Sequence, residues 1–397
     1  MTIQADRWGI HPAQFWLRGE DPASPVRFDE ETGIWNVYGY EEACAVLGDP
    51  KTFSSAHVND LFPVEVDQSM REGNLLDLDP PDHRKLRNLV SKAFSGKVVA
   101  DLEPRITALT HELLDRVDTD RFELVSDLAH PLPVIVIAEL LGLPPDDREL
   151  FREWVDKMFA ETNQFSLNDS KEKMEQDFAG AVEGFAPLRE YLGAHIRARR
   201  ADPRDDLISG LVRAEIDGER LNDNEVVNFT VVLLIAGHVT TTMLLGNTTL
   251  CLDAHPAQRD RVRADRSLVP VAIEESLRFL TPFAAVARAT TTDVTVGGQH
   301  IPADQMLMMW LSAANRDARR FTDPHLFDAT RDPNPHIGFG RGIHFCVGAP
   351  LARLEGRIAV NALLDRFPGL HVDPDQAPTF MPSPNMTGVK TLPLRVA

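Results

Sequence analysis

Cys346 lies in the segment Phe339-Gly340-Arg341-Gly342-Ile343-His344-Phe345-Cys346-Val347-Gly348, and a helical pattern with Leu351, Leu354, Ile358 and Ala362 on one face follows at once. Glycines let a backbone turn tightly and approach something flat and bulky. A cysteine beside a helix N-terminus meets free N–H groups and the positive end of the dipole, which favour the thiolate, the form that binds metal. A lone cysteine is ordinarily a small buried hydrophobe. Glycines on both sides and an aromatic residue seven positions upstream point instead to a ligand. The other cysteines, Cys44 and Cys251, are far away in sequence, so neither a disulfide framework nor a CxxC zinc site is offered. Metal chemistry must come from one cysteine working with a cofactor.

Three further patterns carry chemistry. In Glu275-Ser276-Leu277-Arg278 a carboxylate and a guanidinium stand at i and i+3, where they meet on one helix face. In Ala236-Gly237-His238-Val239-Thr240-Thr241, small residues permit close approach, and a Thr hydroxyl bonded to the carbonyl one turn back can bend a helix and open a groove. In Asp79-Pro80-Pro81-Asp82-His83-Arg84-Lys85-Leu86-Arg87, His83 and Arg87 are four apart and share a face.

The cysteine segment resembles the heme-binding loop of the cytochrome P-450 family, Phe-Gly-x-Gly-x-His-x-Cys-x-Gly, with every fixed position filled, and the other patterns follow in the family's order. The resemblance runs from about Phe53 to Val389. It implies a mainly α fold with small β-sheets (α+β), heme lying between a long central helix and the helix after the cysteine. Cys346 is then the axial ligand, its thiolate donating electron density that favours O–O cleavage, with Phe339, Gly340 and Gly348 shaping the loop. The heme propionates need cationic or hydrogen-bonding partners, and the resemblance nominates His83, Arg87, Arg288 and His344. Glu275 and Arg278 become a buried structural pair, with Arg331 a third member. Ala236, Gly237, Val239 and Thr240 form the oxygen groove.

Here the chain departs from the family. Many members carry Asp or Glu where this one has Val239, and an acid there would help relay protons to bound dioxygen. Thr240 is kept, so oxygen activation is expected to persist, with protons arriving through water, His238 or a substrate hydroxyl. Helical geometry turns His238 away from the face shared by Ala236 and Thr240.

Substrate contacts are implied from Ser54 to Asn74, Met158 to Phe178, Leu280 to Val286 and Pro384 to Gly388, chiefly Phe62, Phe159, Phe283, Val286 and Met386; the pocket should be apolar. The polar stretch Asn168 to Gln176 reads equally as a mobile lid edge or a plain surface loop. No GxGxxG follows a strand, so electrons must come from outside. They are expected to travel from NAD(P)H through a ferredoxin and its ferredoxin reductase. An acidic iron–sulfur protein would dock over Arg84, Lys85, Lys92, Arg341, Arg353 and Arg357. The implied function is a heme b monooxygenase that inserts one oxygen atom from O2 into an apolar natural-product scaffold such as a polyketide, macrolide or peptide, free or bound to a carrier protein. Two alternatives stay open: epoxidation, ring closure, coupling or peroxide-driven oxidation by the same heme-thiolate, and a non-catalytic heme-thiolate sensor.

The elements that must position these groups follow from the wider pattern. At 397 residues, 43% hydrophobic and 25% charged, the chain can bury a large core. No linker interrupts it, so residues 1–397 read as a single domain with an N-terminal strand-bearing lobe. A net charge of -19 argues against nucleic acid. The N-terminus lacks the basic start and apolar stretch of a secretory signal, and no run of about 18 apolar residues occurs, so a cytoplasmic protein without a membrane span is expected. Residues 99–265 read as successive helices, with strands only outside that region. The longest helix opens at Asn222 with Glu225 in capping-box spacing and continues to Pro256, about 50 Å. Asp293 to Val296 before Gly297-Gly298 predicts a hairpin, and Met306 to Leu311 predicts a buried strand.

Overall fold

The computed structural model describes residues 5–62, 71–117, 121–147, 149–151, 153–154, 166–216 and 219–396. Its axis is the helix Asp223–Ala254. The Asn222 side chain accepts from the Glu225 N–H at 2.9 Å, and the Glu225 carboxylate accepts from the Asn222 N–H at 2.7 Å, the reciprocal cap that the spacing predicts. This helix is apolar nearly all round, as befits a helix surrounded by others. It packs against the helices Lys171–Ala201, Pro131–Leu141, Ala349–Arg366 and Val269–Phe279. By length and composition it could cross a membrane, yet 72% of its most apolar window is buried inside the protein. Three of its buried threonines are satisfied locally: Thr230, Thr242 and Thr249 each donate to the carbonyl four residues back.

The sheets are small. The largest runs Val26–Asp29, Ile34–Val37, Met306–Met309, Val286–Thr290, Phe53–Ser54; only the contact between Ile34–Val37 and Met306–Met309 is parallel. The predicted hairpin is present, Val294–Val296 pairing with Gln299–Ile301. Its turn residues Gly297 and Gly298 have φ of 57° and 79°, the left-handed backbone a two-residue hairpin loop requires. The apolar run after Met306 divides: Met306–Met309 is a buried strand, and Leu311–Ala314 begins a helical turn.

The region 99–265 is not free of strands. Arg121–Glu123 joins Pro393–Arg395 and His371–Val372 in a three-stranded sheet, and Glu215–Ile216 pairs with Glu219–Arg220. Strands of two or three residues are too short to show a period of two, and their partners lie far off in sequence. The stretch Asn168 to Gln176 is also not a loop edge. Ser170 caps the helix Lys171–Ala201, accepting from the Lys173 N–H, and so residues 171–176 are helical. Ahead of that cap the chain is tied to the turn after Val26–Asp29. The Asn168 amide donates to the Glu30 and Glu31 carbonyls at 2.8 and 3.0 Å, and the Leu167 N–H to the Thr32 carbonyl at 2.8 Å.

Candidate active site

The cysteine loop is shaped by its glycines. Gly340 and Gly342 have φ of 73° and 71°, where a side chain is strained. A Cβ on Gly342 would also run into the Leu47 carbonyl oxygen, so this glycine lets the loop press against the helix Tyr40–Gly48. The Cys346 N–H donates to the Phe339 carbonyl at 2.9 Å, closing the loop, and Gly348 caps the helix Ala349–Arg366. Burial pushes the Cys346 thiol up, against the opposing effect of the Gly348 and Ala349 N–H groups and the Arg87 and Arg353 charges. The N–H groups at the helix terminus thus favour the thiolate, as expected from the sequence, while burial opposes it. Among the described residues no three His, Cys, Asp or Glu side chains gather around a metal position. A metal at Cys346 must bring its other ligands with it.

Beside this loop four basic side chains crowd together. The rings of His83 and His344 lie 4.3 Å apart, and His344 Nε2 is 3.1 Å from the Ser55 hydroxyl. Arg288 is 9% exposed and donates to the neighbouring Ala287 carbonyl, while Arg87 donates to the Phe345 carbonyl. Burial, then Arg288, His83 and Arg87, push His344 down to about 3, with Asp79 pulling weakly the other way. His83 Nε2 is buried and has no hydrogen-bond partner among the described residues. Two guanidinium groups and two imidazoles gathered this closely, with that buried ring nitrogen among them, fit a flat dianionic group.

The long helix contributes Ala236 and Thr240, which are open to the space beside it, and Thr240 Oγ1 donates to the Ala236 carbonyl at 2.8 Å. Gly237 serves a different purpose from its neighbour: a Cβ there would lie 3.1 Å from Ile137, so it allows close packing on the helix Pro131–Leu141 rather than approach to a cofactor. Val239 is 6% exposed and packs with Met243 and Met386, against Ile235 and Met381. Its side chain thus points into an apolar cluster. His238 is 1% exposed and turned away from the open face, its ring 4.4 Å from that of His130.

Glu275 and Arg278 are both 0% exposed and form a bidentate pair at 2.7 and 2.8 Å. Arg331 and Asn334 donate to the same carboxylate at 3.1 Å, the Asp328 N–H at 2.9 Å, and Arg278 reaches the Asn315, Pro324 and Leu326 carbonyls. Such completeness is what makes a buried ion pair tolerable. Two groups escaped the sequence reading: Asn334, a partner of Glu275, and Glu274, which forms a separate set with Arg353 and His336. The doubled glutamate, Glu274-Glu275, was the available signal.

The nominated substrate residues divide. Phe283 is 41% exposed, Val286 and Phe62 are half-buried, and Phe283 bridges Met386 through the backbone. The Met386 side chain is 4% exposed and packs with Val239 and Met243. Phe159 lies outside the described residues. In the basic patch, Arg353 pairs with Glu274, Arg357 with Glu103 at 2.7 Å and Lys85 with Asp82 at 3.5 Å. Their charges are largely answered within the chain. Arg84, Lys92 and Arg341 are exposed and in no ion pair among the described residues.

The family model for cytochrome P450 matches residues 15–396. The chain belongs to the cytochrome P-450 family. Curated relatives include the cyclomarin C epoxidase CymV of Salinispora arenicola, 45% identical over 90% of this chain and 89% of the relative. The erythromycin C-12 hydroxylase of Saccharopolyspora erythraea is 43% identical over 91% and 88%. Among solved structures, the hydroxylase HmtN of himastatin biosynthesis superimposes with a TM-score of 0.87 at 56% identity, covering 99% of both chains. The expected mainly α architecture with small sheets is therefore that of the family, and the protein is a P-450 monooxygenase. Such enzymes hold heme and take electrons from a redox partner, acting on small molecules with O2. The basic cluster around the Cys346 loop, with its orphaned His83 nitrogen, suits heme and its two carboxylates.

Proposed function

We propose that this P-450, acting as one domain in the cytoplasm, inserts one oxygen atom from O2 into an apolar natural-product scaffold, free or carried on a carrier protein. Heme b would be held through Cys346, with electrons passing from NAD(P)H through a ferredoxin reductase and a ferredoxin. The observation that carries this reading is the set of four basic side chains, His83, Arg87, Arg288 and His344, gathered beside the cysteine loop.

When bound, heme supplies the one-electron and dioxygen chemistry. The protein's own residues do the rest. Arg87 and Arg288 would neutralise the carboxylates, His83 and His344 would donate hydrogen bonds to them, and Cys346 would provide the thiolate. Thr240, its hydroxyl proton committed to the Ala236 carbonyl, keeps lone pairs that can accept a bond from water or a substrate hydroxyl in the groove. Val239 moves no proton, so the proton comes from one of those two sources. Phe283 and Val286 offer an apolar wall. The unpaired cations Arg84, Lys92 and Arg341 would receive an acidic electron donor.

The test is the absorption spectrum of reduced protein with CO, beside Cys346→Ala, followed by turnover under labelled dioxygen. A strongly red-shifted band absent from the variant, and one labelled oxygen atom in the product, support the reading. A band typical of histidine-ligated heme overturns it. Epoxidation is a second reading, favoured by the relative named as an epoxidase and by the buried Val239. An alkene substrate returning an epoxide in place of an alcohol would select it.

A further inference from the structure

The carboxylate beside Glu275 is gripped separately. Glu274 accepts from Arg353 Nε and Nη2, each at 2.7 Å, and from His336 Nε2 at 3.0 Å. The Gly338 N–H donates to His336 Nδ1 at 3.1 Å. Nδ1 is therefore an acceptor, and the ring proton sits on Nε2, facing Glu274. Burial pushes Glu274 up, yet the bonds from Arg353 and His336 hold it at about 2, and the carboxylate is charged.

This bidentate grip fixes the plane of the Arg353 guanidinium. Its central carbon lies 4.6 Å from the centre of the Phe339 ring, in cation–π contact. Phe339 in turn accepts the Cys346 N–H through its carbonyl at 2.9 Å. One cation is thus held between the helix Val269–Phe279, the approach to the cysteine loop and the helix Ala349–Arg366, with its charge acting on Cys346. A brace could be apolar. This one places a positive charge near the ligand and a negative charge behind it.

We propose that Glu274 and Arg353 are a positioning pair that sets the electron affinity of the metal centre at Cys346. The inference rests on the reading of Cys346 as the iron ligand. Taking up one electron makes that centre more negative by one charge, which Arg353 favours and Glu274 opposes. Arg353 and Glu274 are 41% and 27% exposed, so solvent screens both effects without cancelling them.

The test is an anaerobic titration of the heme-loaded protein against a one-electron reference dye, in which one electron passes from reduced dye to ferric iron and no proton is taken up. Arg353→Gln should shift the equilibrium constant toward ferric iron by about three- to tenfold, and Glu274→Gln toward ferrous iron by a similar factor. The double variant should return close to the parent. Arg353→Lys, which keeps the charge but loses the fork and much of the ring contact, should restore part of the shift. Where a neutral variant fails to retain heme, Arg353→Lys and Glu274→Asp carry the comparison, since each weakens one half of the pair. Shifts of the same sign, or none, in variants that keep a thiolate-type CO band would overturn the proposal and leave the pair a plain brace. Absence of that band in the parent protein would instead overturn the heme-thiolate reading.

Discussion

Glu274 and Glu275 are adjacent on one helix, and the same substitution should have very different effects on them. Glu275→Gln keeps the shape but removes the charge that Arg278, with no exposed surface, and Arg331 share. The amide also turns a donor toward one of the Arg278 N–H groups. Leaving a buried guanidinium without its counter-charge costs about 3–5 kcal/mol, moderated by the three carbonyls that Arg278 retains. For a chain of 397 residues, a loss of that size lowers the thermal midpoint by about 5 °C. Glu274→Gln breaks a pair whose arginine is 41% exposed, worth about 1 kcal/mol or less. The assay is thermal and urea unfolding of both variants beside the parent, followed by far-ultraviolet circular dichroism. Equal losses in the two variants, or a larger loss in Glu274→Gln, would refute the argument that burial decides what each carboxylate contributes.

Val239→Glu places a carboxyl in the apolar cluster of Met243 and Met386, where burial raises its pKa. The penalty should be absent below about pH 4.3 and grow as pH rises toward the folded-state value; thermal midpoints from pH 4 to 8 measure it, and product yield should not improve. Glu355 is fully enclosed, has one oxygen without a partner and is pushed up to about 8 by burial. Because the unfolded chain ionises first, stability is lost as pH rises from about 4.5 to 8, so Glu355→Gln should match the parent near pH 4 and exceed it by on the order of 3 kcal/mol at pH 7. Urea midpoints at the two pH values check this. Asn168→Ala removes the amide bonds to the Glu30 and Glu31 carbonyls. Hydrogen exchange should quicken at residues 166–169 and 30–33, with the thermal midpoint nearly unchanged because each such bond is worth about 1 kcal/mol.

What the sequence disclosed and what it hid divide along physical lines. The Asn222–Glu225 cap, the Gly297-Gly298 turn and the Thr240 hydroxyl bond are local: their partners lie within four residues, so spacing alone specifies them. The pairing of Arg121–Glu123 with Pro393–Arg395 is not local, and neither is the contact of Glu274 with Arg353, 79 residues on. Family resemblance named residues without assigning the direction of each side chain. Gly237 and Val239 were both placed in the groove, at the flanks of the face on which Ala236 and Thr240, four apart, are open. Position 237 turns toward Ile137 and position 239 toward Met243. An acid at 239 would therefore enter the methionine cluster before it reached the groove. Val239 suits that apolar packing, while Thr240 keeps its hydroxyl on the more open face.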